Sequence, residues 1–211
     1  MTGDASPVER VVEAVSLRSR RRKLELFMET MRPTPATRVV DVGVTDSGFG
    51  EERGLGHTHN FFEAMYPWPE RITAVGATDL SRFRAAFPSV ATVVADGRAL
   101  PFRDGAFEVA FSNAVIEHVG GRRDQQAFVR ELSRVADRVF VTTPNRLFPV
   151  DAHTLLPVVH WLPRPRRERV YRALGREAGI GVELLSPRSL RALFPSDVRV
   201  VNTGLTLVAI T

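Results

Sequence analysis

The sequence contains no cysteine among its 211 residues. This absence excludes disulfide bonds, thiolate metal sites and catalysis by a cysteine nucleophile. No apolar run approaches the roughly 18 residues that a membrane-spanning helix needs, and no internal repeat or low-complexity tract is visible. The first ten residues lack the positively charged and then apolar pattern of a secretory signal, so we expect a cytoplasmic location.

The composition predicts an ordinary soluble globular protein, because 44% of the residues are hydrophobic and 25% are charged. A chain of this length fits one domain with a proper core. The net charge is +5, and arginine greatly outnumbers lysine. Much of the positive charge lies in two runs, at residues 18–23 and 164–169. Such runs are common on solvated faces, and they also occur where a protein binds nucleic acid or an anionic membrane.

The most informative motif is a short β-branched run that ends in an acid and a glycine. Val39, Val40 and Val42 favour a strand that is buried on both faces. Asp41 needs solvent or a polar ligand, because an unpaired buried carboxylate is costly. Gly43 allows the backbone to approach a ligand closely, and open α/β sheets bind ligands at the carboxyl ends of their strands. The alternative is an ordinary turn without a ligand.

Three further strands are predicted at residues 92–97, 107–113 and 138–144, and a proline stops the last one. Between the last two strands, apolar side chains recur at helical spacing, and Asp124 is placed to cap the helix that they indicate at residues 124–136. Strands that alternate with helices imply parallel pairing and right-handed crossovers. The pattern therefore predicts an α/β fold with a doubly wound sheet.

Three stretches carry a resemblance to a known family: RVVDVGV, VVADGRALPFRDGAFEVAFSNAVIEHV and RVFVTTPNR. In their order, and in the residues that end each strand, they resemble the class I S-adenosylmethionine-dependent methyltransferases, within the group of small type 11 methyltransferase domains. The resemblance implies a mostly parallel, seven-stranded Rossmann-like sheet and S-adenosylmethionine as cofactor. It also implies in-line methyl transfer, which the protein assists by aligning the reactants and excluding water.

We expect a single methyltransferase domain over residues 1–211. Its four parts are an N-terminal helix at 9–32, a cofactor-binding core at 36–146, a substrate cap at 147–195 and a closing β-hairpin at 197–211. In this fold a segment between the fifth and sixth strands often covers the substrate, and the cap is assigned on that basis.

The resemblance assigns cofactor binding to Asp41 and Gly43, which match the start of the family's acid-x-Gly-x-Gly-x-Gly loop. The next two glycine positions hold Thr45 and Ser47, and later glycines follow out of register. A short helix is expected at residues 60–66. This departure from the pattern leaves open how tightly the loop binds the cofactor.

Acids after the second and third strands are further cofactor candidates. Asp79 matches the family's ribose-binding acid if the second strand runs two or three residues beyond Val75, and the alternative is that Asp79 caps the next helix. Asp96 matches the acid that accepts a hydrogen bond from the adenine amino group. The Gly97 amide would then serve a ring nitrogen, with Arg98 at the rim of the site.

Ser112 and Asn113 end the fourth strand, where backbone carbonyls of the family face the sulfonium. Glu117 and His118 close the apolar turn that follows. In some relatives such a pair binds a metal or orients the substrate together with further acids, but only one glutamate stands here. A hydrogen bond that holds the loop is therefore the preferred role, and no metal site is predicted.

The cap begins with the segment PNRLFPVDAHTLLPVVHW, which holds the candidates for catalysis. His153 is the preferred proton acceptor for a hydroxyl substrate, because a neutral imidazole can accept a proton near pH 7. Asp151 would orient the ring, since on a strand the two side chains would share a face. The alternative for His153 is a structural hydrogen bond. Substrate binding is assigned to four residues of this region: Asn145, Arg146, His160 and Trp161.

Three functions compete. The preferred one is O- or N-methylation of a small-molecule or lipid-linked acceptor, with His57 and His59 as a lid over the cofactor. Nucleic-acid methylation is favoured by the basic charge, but the fourth strand lacks the Asn/Asp-Pro-Pro-aromatic ending of enzymes that methylate base amino groups. The third is a non-catalytic methyltransferase-like partner protein. The apolar and then basic run at residues 155–169 also predicts peripheral contact with an anionic membrane, with solvated arginines as the alternative.

Overall fold

The computed structural model describes residues 7–46, 60–195 and 197–211. The helices are α1 (Pro7–Met31), α2 (Phe61–Met65), α3 (Ser81–Ala86), α4 (Arg122–Val135), α5 (Arg164–Ala173) and α6 (Pro187–Arg191). The strands are β1 (Val39–Val42), β2 (Ile72–Gly76), β3 (Ala91–Val94), β4 (Phe107–Asn113), β5 (Ala136–Pro144), β6 (Arg199–Asn202) and β7 (Thr206–Ile210). Short 3₁₀ helices lie at Pro69–Arg71, Val159–Trp161 and Glu177–Gly179.

The strands form a seven-stranded mixed sheet in the order β3-β2-β1-β4-β5-β7-β6, which confirms the predicted α/β class. The pairs β1–β2, β2–β3 and β4–β5 are parallel, and β7 is antiparallel to both β5 and β6. Within the described ranges, no helix has the length and apolar character needed to cross a membrane. The chain divides into two compact units, residues 1–95 and 96–211, and the single-domain organisation stays a prediction.

The first unit is built on the parallel strands β1, β2 and β3. Val39, Val40 and Val42 of β1 are buried as predicted, and Asp41 is buried with them. β3 is the edge strand, and its last residue, Val94, is 50% exposed. Helix α1 contacts α2 through aromatic side chains, because the Phe27 ring lies edge-on to Phe62 at 5.0 Å and to Tyr66 at 6.0 Å. These contacts fix α2, which carries part of the site described below.

The second unit begins with β4, which matches the predicted strand at 107–113 residue for residue. Helix α4 buries Phe128, Leu132 and Val135, as the helical spacing predicts. The helix predicted at residues 124–136 begins two residues earlier, at Arg122. Asp124 still caps the helix, but from its third position, where the carboxylate accepts the Gly121 N–H at 3.1 Å.

The loop at residues 99–105 is attached to α4 by one arginine. The Arg134 guanidinium donates to the carbonyl oxygens of Leu100 and Phe102, at 3.0 and 2.7 Å, and to the Asp104 carboxylate at 2.8 Å. Glu131 pairs with Arg134 and accepts the Leu100 N–H at 2.7 Å. The loop between β3 and β4 is therefore held in one conformation.

The cap predicted at residues 147–195 contains α5, α6 and two of the 3₁₀ helices. It starts at Asn145, whose side-chain amide donates to the Gly204 carbonyl oxygen at 2.9 Å in the β6–β7 turn. Two of its non-glycine residues, Leu155 and Val158, have positive φ angles of 58° and 54°. That conformation is unusual for a β-branched residue such as valine, so the first part of the cap carries backbone strain.

Candidate functional site

Asp41 at the end of β1 and Glu63 on α2 form a buried carboxyl pair in the first unit. Burial, reinforced by the negative charge of Glu63, raises the pKa of Asp41 well above its usual range. Burial also raises the pKa of Glu63. Among the described residues, no amide, alcohol or guanidinium group donates to the Glu63 carboxyl oxygens. The pair is therefore a buried acidic site, and a cationic ligand would stabilise its ionised form.

Asn60 holds the backbone that leaves β1. Its side-chain NH₂ donates to the Thr45 carbonyl oxygen at 2.8 Å, and its Oδ1 accepts the Thr45 N–H at 3.0 Å. Gly43 has a φ of 115°, which favours glycine, and its N–H donates to the Val75 carbonyl oxygen at 2.8 Å. These two hydrogen bonds from the Asn60 side chain hold the backbone at Thr45, the position at which the family has glycine. Ser47 and the proposed lid residues His57 and His59 lie outside the described residues.

Asp79 lies at the start of α3, where its carboxylate accepts the Ser81 N–H at 3.1 Å and the Ser81 hydroxyl at 2.5 Å. These hydrogen bonds lower the pKa of Asp79. Because β2 ends at Gly76, the strand does not extend to Asp79 as the ribose assignment required, and Asp79 is placed as the capping alternative predicted. Asp46 also caps α3 by accepting the Phe83 N–H at 2.8 Å. Ribose binding by Asp79 stays a prediction.

Asp96, in the second unit, is an exposed acid that is paired with Arg98. It accepts the Arg98 backbone N–H at 2.9 Å and the guanidinium at 2.7 Å. These hydrogen bonds lower the pKa of Asp96. Arg98 also donates to Asp124 at 3.0 Å. The carboxylate oxygens retain lone pairs that could accept an amino group, so the adenine role of Asp96, with Gly97 and Arg98 beside it, stays a prediction.

Ser112 and Asn113 end β4 as the sequence predicts. The Asn113 Oδ1 accepts the Thr142 hydroxyl of the neighbouring strand at 2.8 Å. Ala114 follows with a φ of 55°, and its N–H donates to the Thr142 carbonyl oxygen at 2.9 Å. The chain therefore turns sharply as it leaves β4. The proposed contacts of Ser112 and Asn113 with the cofactor stay predictions.

The turn after β4 places Glu117 and His118 next to each other. Glu117 is fully buried, and its Oε2 accepts the Thr143 hydroxyl at 2.9 Å. Gln125 of α4 donates to the Ile116 carbonyl oxygen at 3.2 Å. The hydrogen bond that was expected to hold this loop is therefore present. His118 is more open, with 47% of its side chain exposed.

Asp151 and His153 form a hydrogen-bonded pair in the cap. The Asp151 Oδ1 accepts the His153 backbone N–H at 3.0 Å and lies 3.3 Å from the ring Nδ1. Its Oδ2 accepts the hydroxyls of Thr154 and Tyr171 at 2.8 and 3.0 Å. The prediction that the pair shares the face of a strand is wrong, because the Asp151 side chain closes a turn over the His153 N–H.

The ionisation of this pair follows from these contacts. Burial raises the pKa of Asp151, but the hydrogen bonds from His153, Thr154 and Tyr171 outweigh it and lower that pKa, so Asp151 is ionised at neutral pH. Burial lowers the pKa of His153, whereas the Asp151 hydrogen bond and the Glu117 charge raise it, and the net direction is upward. Because an ionised carboxylate faces Nδ1, that nitrogen carries a proton, and a neutral His153 presents its lone pair at Nε2.

The two histidines and the glutamate converge on one point. The Nε2 atoms of His118 and His153 are 3.1 Å apart. The Glu117 Oε1 lies 3.9 Å from the His153 Nε2 and 4.0 Å from the His118 Nε2. We call Glu117, His118 and His153 the histidine–glutamate cluster. It can accept a proton or hold a cation.

The residues predicted to bind the acceptor have well-defined places. The Arg146 carbonyl oxygen accepts the His160 Nε2–H at 3.0 Å and the Trp161 Nε1–H at 2.7 Å. Asn145 binds the β6–β7 turn as described above. Arg146 and Arg122 line a cavity of about 270 Å³. Acceptor binding stays a prediction for all four residues, and the cavity favours it for Arg146.

Sequence reasoning missed several members of these sites: Asn60, Glu63, Thr143 and Tyr171. Glu63 had a usable signal, since an acid within the buried aromatic segment FFEAM is unusual. Thr143 and Tyr171 had none, because each is an ordinary residue of a strand or helix until the fold brings it to a carboxylate.

Comparison with known proteins gives one family and many structures. Residues 53–138 match a family model described as a methyltransferase domain. No curated protein matches the sequence. The chain is similar to a solved protein of Pyrococcus horikoshii, with a TM-score of 0.60 and 16% identity over 92% of this chain and 89% of that one.

Two further structures of similar fold were solved with a product of the methyl donor. One is magnesium protoporphyrin IX methyltransferase from Synechocystis with bound SAH, at a TM-score of 0.56 and 11% identity over 100% of this chain and 89% of that one. The other is phosphoethanolamine N-methyltransferase 2 from Haemonchus contortus with phosphomonomethylethanolamine and S-adenosylhomocysteine. Its TM-score is 0.57, with 15% identity over 87% of this chain and 38% of that one.

The family match spans residues 53–138, and the fold of the chain is the Rossmann-like fold of solved S-adenosylmethionine-dependent methyltransferases. The two structures solved with S-adenosylhomocysteine make S-adenosylmethionine the candidate cofactor. The residues present fit this cofactor, because its sulfonium and ammonium are cationic and the buried carboxyls of Asp41 and Glu63 can complement positive charge.

Proposed function

We propose that the protein methylates a hydroxyl group on a small-molecule or lipid-linked acceptor. The observation that carries this proposal is the histidine–glutamate cluster together with Asp151. A hydroxyl must lose its proton as it is methylated, and general bases of this kind accelerate such a step. Asp151 and His153 lie within hydrogen-bond distance of each other, and His118 extends the pair toward solvent.

The roles of the residues follow from this geometry. Bound S-adenosylmethionine supplies a methyl group that is already activated by the sulfonium charge. The chain has to align the acceptor oxygen and exclude water. In the metal-free protein the hydroxyl proton goes to the His153 Nε2, directly or by way of His118. Asp151 stays ionised and stabilises the imidazolium that results.

The surroundings of the cluster support an acceptor with an anionic group. Arg122 and Arg146 line the cavity of about 270 Å³, and two guanidinium groups suit a phosphate or a carboxylate. Gln125 and Glu183 line the same cavity, and the Glu183 N–H donates to the Glu117 carbonyl oxygen at 2.9 Å. The backbone of the cluster is therefore hydrogen-bonded to a residue that lines the cavity. By their names, two of the similar structures act on a porphyrin and on a phosphorylated amine, which supports a small-molecule acceptor.

An apolar surface on the cap supports a lipid-linked acceptor and contact with an anionic membrane. Five of the eight large exposed hydrophobic residues in the described part of the chain lie between residues 147 and 162: Leu147, Leu155, Val158, Trp161 and Leu162. Concentrated exposed apolar surface often marks a site of interaction. Arg166 and Arg169, on the adjacent helix α5, are exposed and can attract anionic headgroups.

The experiment is methyl transfer from labelled S-adenosylmethionine to a panel of hydroxyl-bearing lipids and phosphorylated or carboxylated small molecules, compared with matched amines. We expect label on oxygen. His153→Ala should lower the rate by about 10²–10⁴-fold, the range for a general base, while calorimetry shows unchanged cofactor affinity. Arg130→Ala, an exposed substitution on α4, is the control. Transfer only to amines, or wild-type turnover in both His153→Ala and His118→Ala, would overturn the proposal.

A further inference from the structure

We propose that the histidine–glutamate cluster binds one divalent transition-metal ion. Two imidazole nitrogens and one carboxylate oxygen form a ligand set that suits Zn²⁺ and its neighbours in the first transition row. All three ligand atoms lie within 4.8 Å of one another. The inference concerns the site of the proposed function and deepens it, and its role in methyl transfer rests on that function.

The two Nε2 atoms already have the spacing of a coordinated pair. They are 3.1 Å apart, and a metal about 2.1 Å from each would give an angle of roughly 95° between the two bonds. Glu117 Oε1 lies at 3.9 and 4.0 Å from these nitrogens. A shift of roughly 0.5 Å would bring that oxygen to an ordinary metal–ligand distance.

Two of the three ligands are oriented by further hydrogen bonds. The Asp151 Oδ1 lies 3.3 Å from the His153 Nδ1, and the opposite ring nitrogen, Nε2, lies 3.1 Å from the His118 Nε2. Such carboxylate–histidine pairs typically orient imidazole ligands in metal sites. On the other side, the Thr143 hydroxyl donates to the Glu117 Oε2 and leaves Oε1 facing the histidines. The site is thus preorganised on both flanks.

The three ligands differ in their exposure to solvent. Glu117 is fully buried and His153 is 15% exposed, whereas His118 is 47% exposed. Three protein ligands with an accessible fourth position are typical of catalytic rather than structural zinc sites. A metal ion there would lower the pKa of a hydroxyl group that it binds. It would also occupy the Nε2 lone pair of His153, so His153 would act as a base only in the metal-free protein.

The experiment is titration of the chelator-treated full chain with Zn²⁺ by calorimetry, and with Co²⁺ by visible absorption. We expect one ion per chain. His118→Ala and His153→Ala should each weaken Zn²⁺ binding at least about tenfold and abolish the Co²⁺ absorption. Asp151→Asn should weaken binding by about 10–100-fold, the usual effect of removing a partner that orients a ligand. Glu177→Gln, which removes an exposed carboxylate of the cap, is the control and should bind as the wild type does.

Circular dichroism establishes that each variant is folded, and His118→Ala, at the most exposed ligand, keeps the test valid if a buried variant unfolds. No Zn²⁺ binding by the wild type, or equal binding by His118→Ala, would overturn the metal site. Neither result would affect the methyl-transfer assay, which is run on chelator-treated protein. Conversely, the Zn²⁺ titration still tests the metal site if no methyl transfer is detected.

Discussion

At the scale of single residues, the buried carboxyl pair is an arrangement that folding alone does not favour. Asp41 is 6% exposed and Glu63 is 3% exposed. The raised pKa of Asp41 means that the folded chain holds a proton which the unfolded chain releases. Protonated Asp41 contributes fully to the free energy of unfolding below its pKa in the unfolded chain, which is about 3.9. That contribution is lost as the pH rises through the pKa of Asp41 in the folded chain.

Asp41→Asn should therefore stabilise the cofactor-free protein at neutral pH. The amide cannot ionise, so the variant escapes the loss of stability that the wild type suffers between about pH 4 and its folded pKa. A pKa shift of one unit corresponds to about 1.4 kcal/mol, and each kcal/mol raises the melting temperature of a chain of this size by about 2–4 °C. Thermal melts from pH 4.5 to 8 should show the gain growing with pH.

The same variant should bind S-adenosylmethionine about tenfold more weakly, because a neutral amide complements the cationic cofactor less well than a carboxylate does. Asp46→Asn is the matched control: asparagine caps helices as well as aspartate does, so it should change neither property. Equal cofactor affinity in the wild type and Asp41→Asn would refute a binding role for Asp41.

At the scale of secondary-structure elements, the 3₁₀ helix Glu177–Gly179 supports the turn of the cap that contains Asp151 and His153. Gly179 ends this helix and packs against the two residues whose hydroxyls hold Asp151. A Cβ atom at Gly179 would lie 2.5 Å from the Thr154 Cγ2 and 2.7 Å from the Tyr171 Cε2. No real Cβ makes such contacts, so any larger residue must move one of these side chains.

Gly179→Ala should consequently lower methyl transfer by displacing Asp151 and with it the His153 ring, although Gly179 touches neither. We expect a loss of about tenfold or more, since small displacements of catalytic groups are costly, together with a lower melting temperature. Gly175→Asn is the control, because Gly175 has a left-handed φ of 63° with open space around it, and asparagine tolerates that conformation. Normal turnover by a folded Gly179→Ala protein would contradict this coupling.

The sequence predicted elements better than it predicted the site. β4 and α4 followed from local periodicity, which needs only neighbouring residues. The histidine–glutamate cluster did not follow from periodicity. Glu117 lies in the turn after β4, whereas His153 lies in an irregular turn of the cap, far along the chain. Glu117 and His118 were set aside as metal ligands because no further acid accompanies them, and the fold brings a histidine of the cap, His153, to the pair. Loop conformation and long-range contact are not encoded in periodicity.

At the scale of the whole molecule, the basic run of the cap is partly used inside the protein. Arg164 pairs with Glu168 at 2.8 Å and with Glu183 at 2.9 Å. Arg167 is buried and donates to the Val182 carbonyl oxygen at 2.8 Å. A surface contact through this region therefore depends on its exposed leucines as much as on the net charge of +5.

The protein should bind vesicles that contain anionic lipid and not vesicles of neutral lipid, and added salt should weaken that binding. Co-sedimentation measures it directly. The Leu147→Ser/Leu155→Ser double variant should reduce binding several-fold, because it removes two side chains that are 60% and 64% exposed. Val94→Ser, at an exposed edge of the first unit, should leave it unchanged. No binding to anionic vesicles at low salt would leave the arginines as a solvated face.

The junction between α4 and β5 has a consequence for engineering the chain. The helix ends at Val135 and the strand begins at Ala136, so no linker separates them. An insertion, a fusion or new chain ends at this point would shift the strand register by whole residues, and a shift of one residue exchanges its buried and exposed faces. The open turn at Gly175 has no such constraint. We therefore expect the turn at Gly175 to tolerate an inserted reporter domain or the new chain ends of a circular permutant.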